Sequence, residues 1–238
     1  MKEFEIFEKY LSSVRMERYL FAKNFDKELC ISLYKSNLNI SKSFHPIISI
    51  FEVVLRNEIN NTLSKYFNDT DWILNQQYQF MIHPSLSYYD KKSGNVIDNR
   101  FIFNSVKNAK DKLSKNFKLI TSNKIIAEQS LGFWTELFEK NYYKILKGRP
   151  IKIFKNLPEN VNRAEVLNIL NRIRKFRNRI NHNEPICFNK NEVDFQSLKL
   201  IYHSIINILY WINPETLFLL NDIDSVYFSI NQAINEIG

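Results

Sequence analysis

Residues 163–182 read RAEVLNILNRIRKFRNRINH and run directly into Asn183-Glu184-Pro185. Placed on a helix at 100° per residue with Arg177 at zero, Phe176, Ile169, Ile180, Ile173 and Val166 fall within about 260° to 340°. That is one apolar stripe. Arg177, Asn181, Arg174, Asn178, Asn171 and His182 fall between about 0° and 140°, while Lys175, Arg179 and Arg172 continue to about 220° as a solvated flank. The pattern predicts a helix over 163–182 that buries one side. It should stop at Asn183, which suits the left-handed cap position, and before Pro185, which cannot continue a helix.

The same period extends outward from this segment. Apolar residues recur at three and four positions from Lys2 to Lys35, predicting two helices broken near Asn24–Asp26. A long helix is expected from Phe44 to Phe67, with Pro46 in its first turn, and another over 131–146 closed by Gly148 and Pro150. Residues 101–124 read as an amphipathic helix, with Phe101, Phe103, Val106, Leu113, Phe117 and Leu119 between lysines 107, 110, 112, 115, 118 and 124. Further helices are expected over about 192–212 and 214–236. Residues 83–100 hold a Pro, a Gly and mixed charge, and read as an exposed loop or hairpin.

With 238 residues, 45% hydrophobic and 14% aromatic, the chain has ample material for a packed core, and 1–238 reads as a single domain. Four glycines are too few for a β-sandwich or for a phosphate-cradling loop, which leaves an all-α fold. The net charge of +8 favours an anionic partner, nucleic acid first, over the alternative of a lysine-rich solvated surface. Cys30 and Cys187 lie far apart with no metal-ligand spacing, so neither a disulfide framework nor a metal site is expected. Glutamates 3, 5 and 8 interrupt the N-terminal apolar pattern, unlike a secretory leader, and no stretch reads as a membrane span. The expected location is the cytoplasm.

The polar face ending at His182 has the residue types that cleave RNA without metal. Such cleavage must take a proton from a 2′-OH, stabilise a phosphorane and protonate a 5′-oxygen. Arg177 presents a fork of donors to phosphate oxygens, and an imidazole can take and give a proton near neutral pH. A helix C-terminus also favours a cation, and Asn178, four residues before His182, is within reach to orient it. Spacing alone favours a structural reading, with the arginine paired to a neighbour and a satisfied histidine at the helix end. His45 and His83 each precede a proline, and His203 reads as a core histidine. Arg174, Lys175, Arg179, Lys107, Lys110 and Lys115 are the candidate RNA-binding cations.

RKFRNRINHNEPI, starting at Arg174, resembles the Arg-x4–6-His motif of the HEPN superfamily, in the form found in abortive-infection (Abi-like) proteins of the AbiD and AbiF type. LSSVRMERYL from Leu11, FEVVLRNEI from Phe51, LGFWTELF from Leu131 and YWINP from Tyr210 resemble that family's other blocks in order. The resemblance implies a HEPN-type helical bundle with additional helices, usually a homodimer whose two motifs form one composite ribonuclease site. In that site Arg177 would bind phosphate, His182 would act as acid and base, and Asn178 would orient it. It also implies an antiphage role restrained by a partner, either an antitoxin or a structured noncoding RNA, with no cofactor, no membrane and no DNA partner. Position 184 is Glu where nucleotidyltransferase-paired HEPN toxins carry Tyr, so control through that Tyr is not expected. Arg56-Asn57 has no histidine five residues on. With Glu52 it is expected to give structural support, either as a helical pair or as a buried polar network. Phe133 and Trp134 are expected in the core. The alternatives are a non-catalytic RNA- or partner-binding module and a dimerising scaffold.

Overall fold

Among the described residues there are eleven α-helices: α1 (Lys2–Leu11), α2 (Ser13–Ala22), α3 (Lys27–Phe67), α4 (Trp72–Asn75), α5 (Phe101–Lys115), α6 (Ser122–Glu128), α7 (Leu131–Glu136), α8 (Lys140–Ile145), α9 (Arg163–Asn181), α10 (Phe195–Ile212) and α11 (Val226–Ile237). Two short antiparallel hairpins, β1 (Ser87–Asp90) with β2 (Asn95–Asp98) and β3 (Phe188–Asn189) with β4 (Glu192–Val193), interrupt an otherwise all-α fold. The computed structural model describes residues 2–237. Among them, no helix is long and apolar enough to cross a membrane.

The chain divides into two compact units. One comprises residues up to Phe51, Lys175–Asn207 and those from Leu217 onward; the other comprises Glu52–Arg174 and Ile208–Thr216. The boundaries fall inside α3, α9 and α10, so each of these helices contributes residues to both units.

In the first unit α1 packs on α2. Edge-on aromatic contacts run from Phe7 to Tyr34 at 5.8 Å, from Tyr34 to Tyr19 at 5.2 Å and from Tyr19 to Phe188 at 5.2 Å, tying α1, α3, α2 and β3 together. Phe44 of α3 meets Phe176 of α9 edge-on at 4.7 Å, with both rings buried. Such pairs add about 0.5–1.5 kcal/mol to the burial of the rings themselves.

In the second unit α5 packs on α6 and α7. Phe67, Trp72 and Phe80 stack at 5.7–6.3 Å, and the Trp72 indole donates to Asn60 Oδ1 at 2.8 Å. Phe133 and Trp134 are buried, as expected. The expected exposed hairpin is β1–β2, with Tyr88 opposite Ile97 and Tyr89 opposite Val96.

Several boundaries differ from the sequence reading. Ser12 splits the first expected helix, because it adopts φ 76° and its hydroxyl accepts the Arg15 N–H at 3.3 Å. At 23–26 the break is where it was expected, and Asp26 Oδ1 caps α3 by accepting from Glu28 N–H at 2.9 Å and Leu29 N–H at 3.0 Å. From there α3 runs on without interruption. Residues 36–43 stay helical because Ser36, Asn37, Ile40 and Ser43 are buried, and tertiary packing overrides the weak helix propensity of Ser and Asn. Pro46 therefore lies deep inside the helix and not in its first turn.

The lysine-rich helix stops at Lys115. The Lys118 N–H returns to the Leu113 carbonyl at 2.9 Å, which leaves Phe117 and Leu119 exposed instead of in the core. Residues 131–146 form two short helices with a turn between them, since the Phe138 N–H bonds Thr135 C=O and Glu139 N–H bonds Glu136 C=O. The final segment is a 3₁₀ stretch, Pro214–Leu220, followed by α11. Phe44→Ala should cost about 3–5 kcal/mol in urea unfolding, because a ring is removed from a close-packed core. A loss below about 1 kcal/mol would show that the Phe44–Phe176 contact does not organise the first unit.

Candidate functional site

The helix that carries the Arg-His motif is closed at both ends. At its start Asn162 Oδ1 accepts from Ala164 N–H at 2.8 Å and Glu165 N–H at 3.2 Å, while Glu165 Oε2 accepts the Asn162 N–H at 2.7 Å. This is a reciprocal capping box. At its end Asn183 adopts φ 53°, the Glu184 N–H bonds Arg179 C=O at 2.9 Å and the Asn183 N–H bonds Ile180 C=O at 3.0 Å. That Schellman closure places an asparagine where the sequence required a left-handed residue.

The Arg179 side chain reinforces the closure. Its Nη2 donates to the Pro185 carbonyl and its Nε lies 3.5 Å from Glu184 Oε2. Sequence reasoning had set Arg179 on a solvated flank among the RNA-binding cations; it is half-buried and engaged. Three further contacts, which sequence reasoning missed, hold the segment after the helix. Arg15 Nη1 donates to Asn183 C=O at 2.9 Å, and Arg18 donates to Lys190 C=O with its guanidinium 4.5 Å from the Phe188 ring. Asn37 Oδ1 accepts from Ile186 N–H at 2.8 Å and Cys187 N–H at 3.3 Å. The available signal was spacing: Arg15 and Arg18 share one face of α2, offset from the buried Met16 and Tyr19.

On this frame Arg177 and Asn178 lie in the last turns of α9 and His182 directly follows it. Arg177 is half-buried and its Nη1 donates to Asn178 Oδ1 at 3.3 Å. Asn178 and His182 are exposed and joined through the backbone, His182 N–H to Asn178 C=O at 3.0 Å. The expected side-chain bond from Asn178 to the imidazole is replaced by the bond from Arg177. Among the described residues the imidazole has no hydrogen-bond partner, so both ring nitrogens are open to a ligand.

The other candidates disperse. Arg174 Nη1 donates to Thr135 Oγ1 at 3.2 Å and lies against Gly132, where an added Cβ would sit 3.5 Å from it. Lys175 is exposed. Lys107, Lys110 and Lys115 belong to the second unit; Lys107 and Lys115 are exposed, whereas Lys110 donates to Gln77 Oε1 and burial lowers its pKa. Glu52 and Arg56 are half-buried and Asn57 is exposed. Arg56 Nε is buried without a hydrogen-bond acceptor among the described residues. His203 is not a core residue: it is exposed and its Nε2 lies 2.6 Å from the Tyr227 hydroxyl.

Among the described residues no group of His, Cys, Asp and Glu is placed to hold a metal ion. Cys30 and Cys187 are separate and buried, and burial pushes their thiols up to about 11 and about 12. The neutral thiol is a poor nucleophile, so neither should react with maleimide in the native protein. Asn183→Ala should destabilise by about 1–2 kcal/mol in chemical denaturation, and Asn183→Gly should not, because only the Cβ opposes φ 53°. Equal stability of the alanine variant and the parent would contradict the cap.

The family model described as Abi-like protein matches residues 3–187, from the first helix through the Arg-His helix and the segment that Asn37 holds. No curated protein and no solved structure matches the chain. The match covers more than three quarters of the sequence and contains the whole candidate site, and the chain is a member of the Abi-like family.

Proposed function

We propose that this chain is a metal-independent endoribonuclease of HEPN type acting in abortive infection. The observation that carries the reading is the unpartnered His182 imidazole on the same capped helix end as Arg177 and Asn178. Family membership supports the abortive-infection role, and the residue chemistry supports RNA as substrate.

The reaction needs a base and an acid at once. A neutral imidazole takes the 2′-OH proton as that oxygen attacks phosphorus, and an imidazolium gives a proton to the departing 5′-oxygen. Arg177 donates to the non-bridging oxygens, whose charge grows in the phosphorane. One chain supplies one His182 on this helix end. Arg177 and His182 are also about 140° apart around the helix axis, so they diverge within one chain. Two copies facing each other provide base, acid and two guanidinium groups across one phosphate. We therefore read the active form as a homodimer with a composite site, kept silent in the cell by an antitoxin or a structured noncoding RNA.

Purified protein should cleave single-stranded RNA in excess chelator and leave 2′,3′-cyclic phosphate ends. His182→Ala should lower the rate at least about 100-fold and Arg177→Ala by a similar factor, with folding unchanged because His182 is exposed. Cleavage by His182→Ala at the parental rate would overturn the reading. A second reading, an RNA-binding module without turnover, draws on the exposed Lys107 and Lys115. It predicts no product, and an affinity whose logarithm falls with log salt by about 0.7 per phosphate contacted.

A further inference from the structure

The first half of α3 and the end of α9 enclose an open groove of about 390 Å3, all within the first unit. Leu38, Pro46 and Ile180 form apolar walls, and Lys42, His45 and Glu184 bring polar groups to it. Asn183, the residue after His182, also lines it, so the groove adjoins the helix end that carries the proposed catalytic group. Its walls are tied together by the Asn37 bonds to Ile186 and Cys187 and by the Schellman closure that places Asn183. The volume is near the low end of the roughly 300–1,000 Å3 of small-molecule clefts, enough for one nucleoside and too small for a helix or strand of a partner.

One feature of the wall breaks the rules of its own element. Pro46 lies twenty residues into a 41-residue helix, where a proline costs about 3 kcal/mol and supplies no N–H. The Lys42 carbonyl, four residues earlier, therefore lacks its regular helical donor. Lys42 and Pro46 both line the groove, which puts a backbone acceptor on its wall. Glu184 adds a carboxylate, half-exposed and linked to Arg179 at 3.5 Å. Two acceptors inside an apolar cleft repel a phosphate and suit a flat, apolar-faced group with N–H donors on its edge. Lys42 and His45, both exposed, line the same groove and supply donors for the phosphates that flank such a group.

We propose that this groove binds a single unstacked nucleobase next to the phosphate held at Arg177 and His182, and that it prefers bases presenting N–H donors, guanine above all, over uracil. The inference rests on the RNA-cleaving reading of α9 and extends it to base selection. Unstacked bases read at their hydrogen-bonding edges are the usual basis of sequence preference in RNA. Base choice thereby lies in α3 together with the turn that follows the Arg-His motif.

The test is a footprint that does not depend on cleavage. Leu38→Cys places a thiol on an exposed wall of the groove, and the two native cysteines are buried, so maleimide reports on position 38. A 2′-O-methyl oligonucleotide containing an unpaired guanine lacks the attacking hydroxyl and remains intact. At ten times its Kd it should slow alkylation about tenfold by mass action. The same oligomer with an abasic site at that position should protect far less, and a uracil should fall between. Ser41→Cys, an isosteric change on the same wall, provides a second reporter. Equal protection by the guanine and abasic oligomers, or no protection, would overturn the proposal. Protection that grows with protein concentration alone would overturn it too, by showing a second copy of this chain over the groove. Base-dependent protection without any RNA cleavage would keep the groove and reject the nuclease reading; cleavage without protection would do the reverse.

Discussion

Asn37 accepts two consecutive backbone N–H groups, from Ile186 and Cys187, at a position only 3% exposed. A segment leaving a helix under a fold must find partners for its N–H groups, since each buried donor left unmet costs about 1–3 kcal/mol. One side-chain oxygen solves this for two residues. In doing so it fixes where the chain goes after the Arg-His helix, and the β3–β4 turn and the start of α10 follow from that path. The Asp194 N–H closing onto Cys187 C=O at 2.8 Å belongs to the same arrangement.

Everything assigned to the end of α9 depends on that anchoring. Arg179, Arg15 and Arg18 spend their guanidinium donors on backbone carbonyls around the Schellman turn, which is why a chain so rich in cations does not present all of them to solvent. Arg174 is likewise engaged, with Thr135. Asn178, Asn181 and His182 face outward beside the half-buried Arg177, and Lys175 is exposed one turn earlier. The helix end is thus held through backbone carbonyls of the turn that follows it. Pro46 stands at the centre of α3, where a proline is costly, and lines the groove that Ile180 and Asn183 also line.

The helix over 163–181 was fully legible in the sequence, because its apolar stripe, its asparagine cap and Pro185 agree with one another. So were the break at Asp26, the hairpin at 87–98 and the burial of Phe133 and Trp134. The continuity of α3 through Ser36–Ser43 was not, since its serines and asparagines favour helix only when neighbours from elsewhere in the chain bury them. The end of α5 was misread for the opposite reason. Phe117 and Leu119 continue the apolar alternation, but nothing packs over them. At the site, the motif and its helix face could be read from spacing, whereas the fates of the individual cations could not. Whether Arg179 reaches solvent or the Pro185 carbonyl depends on the turn that follows it, and the role of Asn37 depends on a contact across 149 residues.

The central structural claim is that the segment after the Arg-His helix is held as firmly as the core, so that the motif is presented on a fixed support. Amide hydrogen exchange at Ile186, the N–H closest to Asn37 Oδ1, measures this directly. The account predicts that Ile186 exchanges only through near-global unfolding, with protection comparable to the middle of α9, and that Asn37→Ala removes this protection while leaving the middle of α9 protected. Exchange of the Ile186 amide in the parent protein at the rate of an exposed loop would contradict it.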